Sequence, residues 1–179
     1  MTGEAQRASS LFSITAIVVS MTLVAIGNGV MLAYVPYVLS QTGAPSWTPG
    51  ATVTTMAFGG LIGCVIAGPI ISRVGHARAF SCSLALVIIA AFLVALGVNP
   101  LLWVLARGIY GISGNGNFII AQSWLNHASD NRWRGKAMSF FYMTYVIGLG
   151  FGALILGRLP EGSNIAPVVA IMFCAAAII

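Results

Sequence analysis

A chain of 179 residues that is 59% hydrophobic, 6% charged and of mean hydropathy +0.97 cannot build a water-facing surface, because soluble domains carry roughly 25% charged residues. A soluble enzyme or soluble binding domain is thereby excluded, and the composition is that of a membrane protein. The formal net charge of +5 does not point to nucleic acid: the basic residues sit in short turns between apolar runs, where they report topology.

Segment 1–11 is a short polar start carrying Glu4 and Arg7, expected as a cytoplasmic amino terminus. The apolar run after it is too long for the core of a signal peptide and lacks a clear cleavage site, so it stays as the first membrane helix, 12–39, with Pro36 near its far end. In its middle, Gly27-Asn28-Gly29 admits two readings. The glycines let a neighbouring helix pack closely, or the helix loosens locally and presents Asn28 to a central cavity. Segment 40–50 is uncharged, with Pro45, Trp47 and Pro49, and suits an outer turn with Trp47 at the interface.

The second span, 51–71, carries Gly59, Gly60, Gly63 and Gly68, and Gly59-x-x-x-Gly63 is a ridge for close helix approach. It leads into a basic turn from Gly68 to Arg78, hinged at Gly75 and carrying Arg73 and Arg78. The third span, 79–98, is uniformly apolar, as for the outer layer of a bundle, and Asn99-Pro100 makes a minimal outer turn.

The fourth span, 101–122, holds Arg107, the only charge within any span, together with Gly108, Gly111, Gly114, Gly116, Asn115, Asn117 and Gln122. Arg107, Gly111 and Asn115 recur at four-residue steps and Gln122 follows seven later, so the four share one helical face. Such a face must look inward, since a charge toward lipid is costly. Segment 124–136 is a second basic turn, with Asp130, Arg132, Arg134 and Lys136. The fifth span, 137–157, opens on Phe140, Phe141, Tyr142 and Tyr145 and closes on Gly148, Gly150, Gly152 and Gly157, with a Gly148-x-x-x-Gly152 ridge. Tyr142 and Tyr145 read as interface or packing groups. After an outer turn, 158–164, the sixth run, 165–179, is shorter than the about 20 residues that a span needs. The expectation is a chain truncated within helix six.

With the amino terminus inside, the inner segments hold Arg7, Arg73, Arg78, Arg132, Arg134 and Lys136, and the outer ones Arg158 alone. His76 and His127 fall in inner turns and read as solvated. Cys64, Cys82 and Cys174 lie in apolar runs without metal-ligand spacing and read as small buried packing residues. No metal site and no cofactor motif is expected, and no nucleophile–base constellation suggests an enzyme.

The turn Gly68-Pro-Ile-Ile-Ser-Arg-Val-Gly-His-Ala-Arg78 resembles the signature loop of the major facilitator superfamily, Gly-x-x-x-Asp-Arg-x-Gly-Arg-(Arg/Lys), with Gly68, Arg73 and Gly75 matching and Arg78 close to its final basic position. Ser72 stands where that loop has Asp, and His76 where it has Arg. Arg107 with Gly111 and Gly114 resembles the Arg-x-x-x-Gly motif of the fourth helix. Arg134-Gly135-Lys136 resembles the Arg-Gly pair that opens the fifth. The segment 121–126, Ala-Gln-Ser-Trp-Leu-Asn, is similar to a loop of a poorly characterised bacterial branch in which Glu replaces Gln122. Gly152-Ala153 replaces the Gly-Pro of the antiporter motif, which speaks against drug efflux.

The resemblance implies an all-α integral membrane protein: a six-transmembrane-helix bundle that is the first half of a twelve-helix transporter, with inverted three-helix repeats and a mid-membrane substrate site. It implies alternating access in a plasma membrane, with a small-molecule substrate, the lipid bilayer, a second six-helix half and a coupling proton or cation as partners. Asn28, Arg107, Asn115 and Gln122 become substrate-pathway candidates, and Gly68, Arg73, Gly75 and Arg78 a cytoplasmic gate loop. Gly59, Gly63, Gly111, Gly114, Gly148 and Gly152 become helix-packing positions. Arg107 is either the partner of an anionic substrate or an anchor to backbone carbonyls and neighbouring helices; the matching family arginine is often structural or tied to proton coupling. The acids are Glu4, Asp130 and Glu161, all outside the spans, so a proton-carrying carboxylate is not expected in this half. A receptor, scaffold or assembly subunit that keeps the fold is the alternative.

Overall fold

The computed structural model describes residues 2–160 and 164–178, with side chains from residue 12 onward. The Glu4 and Arg7 side chains, Glu161 and Ile179 lie outside the described residues. The described residues form six helices: α1 (Thr2–Gln41), α2 (Thr48–Val74), α3 (His76–Ala95), α4 (Pro100–Ala128), α5 (Arg134–Leu156) and α6 (Ile165–Ala176).

The helices differ from the expected spans mainly at their ends, each for a local reason. α1 begins at Thr2 rather than near residue 12, because Glu, Ala, Gln and Arg at positions 4–8 propagate a helix. α1 also runs unbroken through Gly27-Asn28-Gly29, so the loosened-helix reading is corrected. The turn expected over Gly68–Arg78 contracts to one residue: α2 continues to Val74 and α3 opens at His76, with Gly75 at φ 80, ψ 165 between them. α4 continues past Gln122 to Ala128, since Ser-Trp-Leu-Asn-His-Ala contains no breaker. At its start Asn99 Oδ1 accepts from the Leu102 N–H at 3.1 Å, with Pro100 in the first turn. Gly97, at φ 128, turns the chain after α3, and Trp103 Nε1 donates to its carbonyl at 2.9 Å.

Four helices are long and apolar enough to cross a membrane: the Phe12–Gln41 part of α1, α2, α3 and α5. α6 is shorter, at 12 residues. α4, at 29 residues, has the length but carries Arg107, Asn115, Asn117 and Gln122. It is also richly buried, with Trp103, Ala106, Arg107, Tyr110 and Asn117 all inside. Hydropathy reports contact with lipid, and α4 is covered by protein instead.

The main packings are α2 on α4, α1 on α5, α3 on α4, α1 on α6 and α3 on α6. Exchanging α1–α3 for α4–α6 maps this set onto itself: α1–α5 becomes α4–α2, and α3–α4 becomes α6–α1. Because α1 and α4 cross in opposite directions, the two triplets are inverted repeats. Both tight pairs use glycine. A methyl group on Gly59 or Gly63 would fall on the Gly108 or Ile112 carbonyl oxygen of α4, and one on Gly111 on that of Met56. In α1–α5, methyl groups on Gly29 and Gly152 would fall on the Leu149 and Ile26 carbonyl oxygens, and one on Gly148 would lie 2.9 Å from Ala25 Cβ. Backbones this close exchange many weak contacts, which is how helices associate without a hydrophobic driving force. Across helices, Thr55 Oγ1 also donates to the Val104 carbonyl at 3.1 Å and Ser83 Oγ to the Ser113 carbonyl at 2.7 Å.

Of the cysteines, only Cys174 is buried; Cys64 and Cys82 face outward and all three are free, which corrects the packing role expected for the first two. They sit on faces of α2 and α3 that no other described helix covers.

Candidate functional site

Two apolar clusters divide the bundle along its depth. One contains Ile17, Met21 and Val24 of α1 with Tyr110, Ile120 and Leu125 of α4. The other contains Val30, Tyr34 and Leu39 of α1 with Trp103 and Ala106 of α4. Between them on α1 stands Asn28, and on α4 Arg107. Tyr34 and Trp103 meet with ring centroids 6.1 Å apart, and Asn117 Nδ2 lies 3.7 Å from Met21 Sδ. These two contacts fix the antiparallel register of α1 and α4 and bring Asn28 level with the Arg107–Tyr110 turn.

This polar layer is poorly satisfied. Arg107 is 5% exposed, and its Nε and Nη1 are buried without a hydrogen-bond partner. Its guanidinium carbon lies 5.4 Å from the centre of the Tyr110 ring, a cation–π contact that uses the flat face and leaves the N–H edge free. Asn28, 3% exposed, has an unpartnered Oδ1, although the Tyr145 hydroxyl approaches its side chain. Deeper in the bundle, beside Met21, Asn117 is 1% exposed and has an unpartnered Oδ1. A charged residue at the centre of a membrane helix costs about 3 kcal/mol even on the mildest scale, so an unpaired one marks a place where something else is to be met. Below the layer, Phe118 sits 5.6 Å from Phe141 and 4.8 Å from Tyr145 between ring centroids and closes the inner side.

The four-residue stripe on α4 does not stay on one face. Arg107 and Gly111 are buried, Asn115 is exposed and Gln122 is half-buried. Each four-residue step overshoots a turn of 3.6 residues by about 40°, which carries the stripe out of the bundle. Asn115 Nδ2 donates to its own Gly111 carbonyl at 3.3 Å, beside Gly60, and Gln122 Nε2 donates to the Tyr142 hydroxyl, linking α4 to α5. The structure thus sets Asn28 and Arg107 at one level of the bundle and Asn115 and Gln122 apart from them. Tyr110 and Tyr145 join the layer, while Asn117 lies ten residues further along α4, about 15 Å from Arg107, level with Met21.

Around the α2–α3 junction, Gly68, Arg73, Gly75 and Arg78 are all exposed, and Ser72 Oγ donates to the Pro69 carbonyl at 2.9 Å. His76 and His127 lie on α3 and α4 rather than in turns, which corrects that part of the expectation; His127 is exposed and His76 half-buried, their rings are 5.1 Å apart, and His76 Nε2 is 3.0 Å from Ser123 Oγ. The longer α3 and α4 carry them into contact. Among the described residues no group of three or more His, Cys, Asp or Glu could hold a metal ion.

Inverted helical triplets with a polar layer between two apolar clusters define a multi-pass membrane protein built from internal repeats. The family model of the Major Facilitator Superfamily matches residues 17–179, and the chain belongs to that superfamily. It is 29% identical over 140 residues to an uncharacterized MFS-type transporter of Enterobacter sp. (strain 638), covering 77% of this chain and 36% of the relative. It is 30% identical over 135 residues to one of Yersinia pestis, covering 75% and 35%. Against the glucose transporter GlcP of Staphylococcus epidermidis it is 25% identical over 122 residues, covering 68% and 27%. The chain spans about a third of the length of the curated relatives it matches. These relatives point to transport rather than catalysis.

Proposed function

We propose that this chain forms the amino-terminal half of a secondary carrier, moving a small solute by alternating access with its amino terminus on the cytoplasmic side of a plasma membrane. The polar layer of Asn28 and Arg107, buried at mid-depth and short of partners, is the observation that carries this reading. A second half would complete the carrier. The exposed Gly68, Arg73, Gly75 and Arg78 then form the inner gate, where Ser72 removes an acidic partner, and Asn115 and Gln122 line the flank of the pathway. A coupling proton, where one is used, is carried outside this half, because Glu4, Asp130 and Glu161 all lie outside the spans.

The test is saturable uptake of a solute panel (sugars, amino acids, carboxylates) by the purified full-length protein in liposomes. Asn28→Ala and Arg107→Gln should each lower kcat/KM at least about tenfold, some 1.4 kcal/mol of barrier. Phe92→Ala, on the outer face of α3 at 53% exposure, should leave it unchanged. Equal losses in all three variants would remove the layer from the pathway.

A further inference from the structure

We propose that the solute held at this layer is a small organic anion whose carboxylate accepts from the Arg107 guanidinium. The proposal deepens the carrier reading and rests on it.

The argument is one of charge balance. A guanidinium offers five N–H donors and cannot be deprotonated to escape burial. Here two of its nitrogens, Nε and Nη1, are buried and have no acceptor, in a residue that is 5% exposed. The Tyr110 ring covers a face of the cation without neutralising it. Among the described residues no carboxylate stands near enough to serve as counter-ion. Asp130 lies beyond the far end of α4, about 32 Å from Arg107 at 1.5 Å per residue. Glu4 lies 24 positions before Asn28 on α1, about 36 Å along that helix. Glu161 belongs to the connection between α5 and α6, outside the described residues.

Neutral solutes do not resolve this balance. A sugar hydroxyl could accept one hydrogen bond but would leave the charge uncompensated in a low-dielectric layer. A carboxylate accepts from several N–H groups and cancels the charge, the geometry in which arginine binds most strongly. The neighbouring Asn28 keeps an unpartnered Oδ1 as acceptor for a hydroxyl that the anion also carries.

The experiment uses the full-length protein in detergent and follows its melting temperature with lactate, succinate, glucuronate and benzoate, each against its neutral amide. At least one carboxylate should raise the melting temperature where its amide does not, since a ligand of the folded state stabilises it. Arg107→Gln should weaken that carboxylate at least about tenfold. Should this variant fail to fold, Arg107→Lys carries the test: the charge is kept, the planar donor set is lost, and binding should still weaken. A panel in which no carboxylate outperforms its amide, or an affinity unchanged in the lysine variant, overturns the proposal. Uptake in liposomes separates the two readings. Saturable glucose uptake that no carboxylate inhibits keeps the carrier and removes the anion; a carboxylate that binds through Arg107 without being taken up keeps the anion site and removes the carrier.

Discussion

A methyl group added at Gly111 would land on the Met56 carbonyl oxygen, whereas at Gly114 it would rest 3.5 Å from the Tyr110 ring, an ordinary contact. Gly111→Ala should therefore force α2 and α4 apart, at about 1–3 kcal/mol as for other overpacked positions. Gly114→Ala should be neutral or stabilising by about 0.5–1 kcal/mol, because alanine loses less backbone entropy in a helix. Thermal unfolding of the two variants checks this, and a larger loss at Gly114 would contradict the packing. The glycines of α4 look equivalent as letters. What separates them is the azimuth of each relative to α2, which depends on which neighbour the helix chooses. Arg107 was legible for another reason: a charge inside an apolar run is visible in one dimension. That its donors go unmet was not, since this depends on every helix around it.

At the scale of elements, the existence and order of the six helices follow from runs of apolar residues, and the glycine ridges of α2 and α5 already pointed to close packing, though not to which helices would provide it. The junctions were harder to read. Between α2 and α3 the sequence offers Gly68, Pro69 and Gly75 as breakers, and only Gly75 leaves the helical conformation. Pro69 stays inside α2, as prolines do in membrane helices when neighbouring groups meet the freed carbonyl. Gly75, at φ 80 and ψ 165, occupies a region open essentially to glycine alone, at a cost of about 1–3 kcal/mol for any other residue. Gly75→Ala should then lower the melting temperature and change the angle between α2 and α3, with a matching loss of transport. Gly68→Ala, in a helix with open space around its Cα, should do neither. If both variants behave alike, the junction is not hinged at Gly75. The His76–His127 contact follows from the same abruptness: with no loop to spend, α3 starts beside the last turn of α4.

For the whole molecule, the inverted repeats decide what the polar layer can face. α1 and α4 occupy equivalent places in the two triplets, and each brings one buried, under-satisfied side chain to the same height, Asn28 from one and Arg107 from the other. The direction of the bundle in the membrane is set by charges at its ends. Arg73, Arg78, Arg132, Arg134 and Lys136 cluster at one end, and Arg158 stands at the other; basic residues in short loops stay on the cytoplasmic side. In a full-length protein freed of Cys64, Cys82 and Cys174, a cysteine at Ser46 should therefore react with a membrane-impermeant maleimide on intact cells, and one at Asn131 only after permeabilisation. The reverse pattern would invert the proposed topology and move the exposed arginines of the α2–α3 junction to the outer face. Arg107 would still lie level with Asn28, because their register depends on Tyr34–Trp103 and Met21–Asn117 and not on which side is inside. Orientation and site are thus independent: the labelling experiment assigns a direction to the pathway, and the anion titration assigns what travels along it.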